Sequence, residues 1–274
     1  MEISAFGVDG STAVDCGGPV HFLGGQEKAP AAPIPKVMDD WIQEYGKVFG
    51  FYEGELPKVV ISDLDMIKEC FVKEAHMFRD RMPLIIEVEP IKSSLLALRG
   101  DEWKRVRSVL NPTFSSAKMK LMSQVMNACG NTLVEVMSER LAVGQDTIDV
   151  TKTSQALSMD VITKCALAWQ VDCQRNVDDP TLRLLQRIFL EVDQHSGQEE
   201  RRHAAAYVPF GLGPRECIGR RFALLELKTV LAKLVRTYVF SVCDDADDPI
   251  KLTVPTVTLN PVRNIKLRVT RRSS

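Results

Sequence analysis

Apolar positions recur every three to four residues along most of this chain and alternate over only a few short runs, so the pattern predicts a helix-dominated fold with small β pieces. A helix is expected over residues 36–45. Two β-rich runs, 48–52 and 58–61, are parted by Gly54 and Pro57 and read as a hairpin. Asp63 is placed to cap a helix with Leu64, Ile67, Cys70 and Phe71 on one face. A helix over 102–110 stops at Pro112. Ser115 then opens a long helix running to Gly144, with Met119, Met122, Val125, Met126, Leu133, Val136 and Met137 at helical spacing, a stripe that fills a core. Thr151 opens another, with Leu157, Val161 and Cys165 inward, and Leu182, Leu185, Phe189 and Val192 mark a further amphipathic helix. A strong helix is expected over 218–238, and strands over 239–242, 252–254 and 265–269.

Two stretches break the pattern. Residues 1–37 carry Gly17, Gly18, Pro19, Gly24, Gly25, Pro30, Pro33 and Pro35 and read as irregular. Residues 194–203 (QHSGQEERRH) are wholly polar and read as an exposed, flexible junction that proteases would cut first. The expected organisation is an irregular segment 1–37, a first part 38–192, a polar junction 193–207 and a closing part 208–274.

At 274 residues, with 45% hydrophobic and 26% charged residues, the chain can bury a substantial core as one large domain or two ordinary ones. A formal net charge of −1 gives no global basic field for nucleic acid. Arg263, Lys266, Arg268, Arg271 and Arg272 crowd the C-terminus and read as a solvated basic tail. Seven scattered cysteines with no C-x-x-C pair argue against a disulfide framework or a zinc site and favour a reducing compartment. No apolar run is long enough for a spanning helix, and the N-terminus lacks the order of a signal peptide.

The chemistry concentrates in residues 208–219. Gly211 and Gly213 form a turn or bulge whose backbone can press on a flat ligand, and Arg215 sets a cation two residues before Cys217. Cys217 stands at the expected helix start, where free N–H groups and the positive dipole end favour a thiolate. Phe210 can shield the sulfur, and Gly219 lets the first helical turn lie under a planar group. Such a thiolate can ligate haem iron. A buried core cysteine, or a thiol nucleophile needing a nearby histidine base, are the alternatives. Upstream, Trp103 and Arg107 lie four apart on one helical face, a pair suited to a carboxylate or, more plainly, to a stacked surface contact.

The string F-G-x-G-x-R-x-C-x-G over 210–219, ten positions with six fixed, resembles the haem-ligand signature of cytochromes P-450. The resemblance implies an iron ligand at Cys217, a propionate partner in Arg215, a ring beside the sulfur in Phe210, and further haem contacts at Gly211, Gly213 and Gly219. It also implies a propionate clamp at Trp103 and Arg107. The run LRGDEWKRVRSVLNPTFSSAKMKLM, and Asp160-Val161-Ile162 leading to Asp178-Asp179-Pro180, resemble the animal branch that holds thromboxane synthase and the broad-specificity drug-oxidising enzymes. Gly17-Gly18-Pro19 with Phe22-Leu23-Gly24 is similar to that branch's entry segment.

The implied protein is a mainly α enzyme with small β-sheets that binds haem b through an axial thiolate. It takes electrons from NADPH through a flavoprotein reductase and monooxygenates a lipophilic fatty acid, steroid or xenobiotic. Arg220 and Arg221 would face the reductase, or are simply solvated. Members of the family are anchored in the endoplasmic reticulum; without an anchor in the sequence, a peripheral or cytoplasmic protein is expected. The resemblance covers roughly 17–190 and 203–270, and the fold is expected to be incomplete. No A/G-G-x-D/E-T-T string occurs, and the E-x-x-R matches at Glu199–Arg202 and Glu102–Arg105 fall in the polar junction and in the clamp helix. The distal helix and the E-x-x-R helix are therefore expected to be missing, and the chain is expected to be a shortened form with impaired activity, or a non-catalytic fragment that competes for haem or reductase.

Overall fold

A computed structural model describes residues 2–3, 34–53, 56–81, 89–176, 178–180, 183, 196–197, 208–244, 246, 250, 252–253 and 260–273. Among these the chain is mainly helical with small antiparallel sheets. It divides into two compact units, each drawn from separate stretches of sequence: Met1–Thr113 with Glu199–Arg220, and Phe114–Gln198 with Arg221–Ser274.

In the first unit α1 (Ile34–Tyr45) starts inside the stretch expected to be irregular. Pro35 does not prevent this, because a proline in the first helical turn forfeits an N–H that has no intrahelical partner. The expected hairpin forms as β2 (Val48–Glu53) and β3 (Leu56–Ile61), with Phe49 opposite Val60, and β1 (Glu2–Ile3) adds to its far edge in the order β1-β3-β2. Trp41 of α1 meets Phe51 and Phe49 at ring separations of 5.4 and 6.1 Å. Asp63 caps α2 (Leu64–Lys68), its Oδ1 accepting the N–H groups of Asp65 and Met66 at 3.1 Å each, and a π turn follows over Glu69–Lys73. Ile61, Ile67 and Cys70 form a small core, and Leu212 packs on it from far along the chain. Next comes α3 (Gly100–Leu110), which gives way to a 3-10 turn, Asn111–Phe114, where Pro112 ends the α pattern.

The second unit is built on α4 (Ser116–Ala142), α5 (Val150–Ala166) and α6 (Arg220–Thr237), the last contributing from Arg221 onward. Its core joins Met126, Leu133, Met137, Leu157, Val161, Val230, Tyr238 and Val269. Each such side chain contributes about 1.5–3 kcal/mol on burial. Tyr238 is 1% exposed, and its hydroxyl donates to the Val134 carbonyl at 2.8 Å and lies 2.7 Å from Ser138 Oγ.

Two expected caps are corrected. Ser115 occupies the N-cap of α4, but its side chain makes no capping bond; only its carbonyl is engaged, by Met119. The cap of α5 is Asp149, whose carboxylate accepts the N–H of Lys152 at 2.9 Å, while Thr151 Oγ1 accepts the N–H of Ile265 instead. A carboxylate accepts more strongly than a hydroxyl at the positive end of a helix.

Beside the helices lies a sheet of β4 (Thr147–Asp149), β6 (Tyr238–Val242) and β9 (Lys266–Arg271) in the order β4-β9-β6. The supposed basic tail is thus the central strand. Val269 is fully buried, whereas Lys266 and Arg268 face outward and Arg268 pairs loosely with Asp146 and Asp244. A second small sheet orders β5 (Ser196–Gly197), β7 (Leu252–Thr253) and β8 (Asn260–Pro261), so residues 196 and 197 of the polar junction are strand-paired. The remainder of 194–203, and the expected helix through Leu182, Leu185, Phe189 and Val192, lie outside the described residues.

Candidate functional site

The candidate haem-contact residues, from Trp103 and Arg107 to Phe210–Gly219, all fall in the first unit. The loop closes on itself through backbone bonds: Gly211 N–H to the Val208 carbonyl at 2.8 Å, Glu216 N–H to Gly213 at 3.0 Å and Cys217 N–H to Phe210 at 2.7 Å. Both Gly211 (φ +74°) and Gly213 (φ +70°) lie in the left-handed region that side chains resist. At Gly213 the close approach is to protein rather than to a ligand, since a Cβ there would stand 1.8 Å from the Phe71 carbonyl oxygen. The loop is thereby locked onto the π turn after α2.

Cys217 is exposed. It stands three residues before α6, not on its first turn: its carbonyl accepts the N–H of Arg220 at 3.2 Å, and its own N–H is spent on Phe210. Gly219 lies in the turn between the two. Phe210 meets Cys217 through its backbone carbonyl.

Arg215 is engaged by several groups of the protein. Its guanidinium lies 4.0 Å from the ring centroid of Trp103, which is 5% exposed on α3. It donates from Nε to Arg79 O at 2.7 Å, from Nη2 to Leu98 O at 2.9 Å and Asp80 Oδ1 at 3.3 Å, and more weakly from Nη1 to Leu95 O. Four of its five donors are thus committed to the protein, which leaves little for an outside carboxylate. Arg107, one turn beyond Trp103, ties α3 to the loop through the Glu216 carbonyl at 2.8 Å.

Sequence reasoning missed Arg81. Its guanidinium donates to the Arg215 carbonyl at 3.3 Å. Burial, and next the charge of Arg107, lower its proton affinity, while nearby Cys217 pulls the other way. Arg215 is likewise lowered, first by burial and then by Arg81, against the opposing charge of Asp80. Neither Arg81 nor Arg107 has a carboxylate partner among the described residues, whereas Arg79 faces Asp101 at 3.4 Å and its buried Nε, which makes no hydrogen bond, lies 3.8 Å from Asp80. The local signal was the run Phe78-Arg79-Asp80-Arg81, which nothing in its spacing connects to residue 217.

The arrangement is a surplus of positive charge around one exposed sulfur. A cleft of about 520 Å3 lies beside the loop, lined in part by Arg79, Trp103, Arg107 and Gly213 but not by Cys217 or Arg81. Crowded, underpaired guanidiniums call for a ligand with more than one negative group, and a free thiol beside them can bind a soft metal. A haem with two propionates fits this donor set.

The family described as Cytochrome P450 matches residues 17–199 and 194–269. Cytochrome P450 3A18 of Rattus norvegicus is 35% identical over 154 residues, 56% of this chain and 31% of that protein. Lithocholate 6-beta-hydroxylase of Mesocricetus auratus is 33% identical over 147 residues, 54% of this chain and 29% of its own length. Cytochrome P450 3A5 of Homo sapiens is 35% identical over 138 residues, 50% and 27% respectively. The match therefore spans under a third of these relatives' length.

Proposed function

Because the chain belongs to the cytochrome P450 family, we propose that it binds haem b through Cys217 and is a monooxygenase-type oxidoreductase of lipophilic small molecules. The observation that carries this is the exposed Cys217 thiol beside Arg81, a cation without a carboxylate partner among the described residues. Bound here, haem would supply oxygen activation, with electrons from NADPH through a flavoprotein reductase.

The chain's own residues have separable tasks. Cys217 would hold the iron through its sulfur. Arg81 and Arg107 would hold the two carboxylates of the cofactor. Trp103 and Arg215 brace the loop, keeping its backbone at a set height against α3. Gly211 supplies the left-handed backbone, at φ +74°, with which the loop turns. The relative named for 6-beta hydroxylation of lithocholate supports a lipophilic substrate class.

We further propose that turnover by this chain is impaired. Residues 193–207 join two family-like parts directly, and no A/G-G-x-D/E-T-T string is present to donate protons to bound oxygen. A haem bound by these residues would gain the electronics of the thiolate without the proton relay of such a string.

The test is to load the purified chain with haem and record the reduced carbon monoxide difference spectrum, then to follow NADPH-dependent oxidation of lipophilic probes with reductase added. A thiolate-type spectrum that disappears in Cys217→Ser, with little product, is expected. The same spectrum in Cys217→Ser overturns the ligand assignment, and turnover like that of an intact family member overturns the impairment.

A further inference from the structure

The second unit contains a cavity of about 320 Å3, between the C-terminal half of α4 and the N-terminal half of α5. Its floor is apolar: Leu133, Val136 and Met137 from α4 and Ala156 from α5, each less than a tenth exposed. Its rim is charged, and the charges do not balance. Asp178 is taken by Arg183 at 2.6 Å, and Asp149 accepts the Lys152 backbone N–H at 2.9 Å and Asn264 Nδ2 at 2.8 Å. The side chains of Arg140 and Lys152, both on the lining, have no acceptor among the described residues.

One polar group in the wall is also unfinished. Gln174 is 4% exposed, and its Nε2 donates both hydrogens inward, to Asp160 Oδ2 at 3.0 Å and to the Cys129 carbonyl at 3.2 Å. Since both neighbours are pure acceptors, the amide cannot be turned round. Its Oε1 is therefore fixed as an acceptor, and it has no donor. A buried acceptor left unmatched is costly, and native proteins rarely keep one without a ligand or water to fill it.

We propose that this cavity is a binding site for a short hydroxylated aliphatic acid. The carboxylate meets Arg140 and Lys152 at the rim, the methylene chain covers Leu133, Val136 and Met137, and the hydroxyl donates to Gln174 Oε1. The volume is at the small end of ligand pockets, which limits the occupant to a single short chain. The inference does not rest on haem binding, because none of these residues belongs to the loop around Cys217.

The test is calorimetric titration of the full chain with 10-hydroxydecanoate and with decanoate. The hydroxy acid is expected to bind about tenfold more tightly, the value of one buried hydrogen bond. Gln174→Met should abolish that preference and keep decanoate binding. Because Gln174 also steadies Asp160, a second variant that leaves the core intact, Lys152→Glu, should weaken both acids about tenfold or more. Cys217→Ser should change neither. Equal affinity for the two acids overturns the proposal, as does a preference that survives in Gln174→Met or affinities untouched by Lys152→Glu. Failure of either acid to bind overturns it as well, and would leave an ordered water as the partner of Gln174.

Discussion

Arg215 covers the indole of Trp103 with its guanidinium carbon 4.0 Å from the ring centroid, joining the two motifs that the sequence could only set side by side. Trp103 is thus a strut of the loop. Trp103→Ala should lower stability by about 3–5 kcal/mol through the cavity it leaves, and weaken haem retention with it. Trp103→Phe should recover most of the stability. Urea unfolding and haem titration of the two variants check this; a Trp103→Ala chain as stable as its parent would sink the strut.

Arg215→Lys should cost about 1–3 kcal/mol despite keeping the charge, since an ammonium cannot span Arg79 O, Leu98 O and Asp80 together. If instead Arg215 were chiefly a propionate partner, Arg215→Lys would leave stability in the absence of haem unchanged. Thermal melts of the haem-free chain separate the two.

Gly213→Ala should disrupt the ligand loop. The left-handed backbone alone costs about 1–2 kcal/mol, and the new methyl would collide with the Phe71 carbonyl, a backbone atom that cannot swing away. Gly144→Ala, at φ +82° with open space around it, should show the backbone cost alone. Comparing the midpoints of the two variants measures the collision.

Glu226 gives stability a dependence on pH. Burial pushes its pKa above the ordinary 4.5, opposed by the bond from the Ser158 hydroxyl at 2.8 Å. The native state therefore holds this proton more tightly than the unfolded chain does. Its contribution is complete below the ordinary glutamate range and is lost as pH rises through the folded value. Glu226→Gln should match the parent near about pH 4 and exceed it at about pH 8. Parallel curves at both pH values would contradict the burial effect.

The thiols should react in a fixed order. Burial, as the largest cause, raises Cys165 to about 11 and Cys173 to about 12, so both stay protonated and inert near neutrality. Cys217 is exposed. Brief iodoacetamide treatment followed by peptide mass spectrometry should find Cys217 alkylated before either of them, and added haem should slow its modification.

The sequence by itself determined the helices of the described residues, the hairpin and the glycine-rich loop. Their signals are local: the period of Met119, Met126, Leu133 and Met137, Gly54 and Pro57 between two β runs, and six fixed positions ending at Gly219. It also singled out Cys217. Only the tertiary structure decided which partners these groups keep. Arg215 meets the Arg79 carbonyl, 136 residues away in sequence, and Arg81 takes a place beside Cys217 that no spacing announces. Likewise Lys266 and Arg268 become the outward face of a central strand because Val269 alternates with them into the core. Local periodicity says which face of an element seeks burial, but the chain's return path decides what meets that face, and hydrogen-bond donors are claimed by whichever acceptors arrive there.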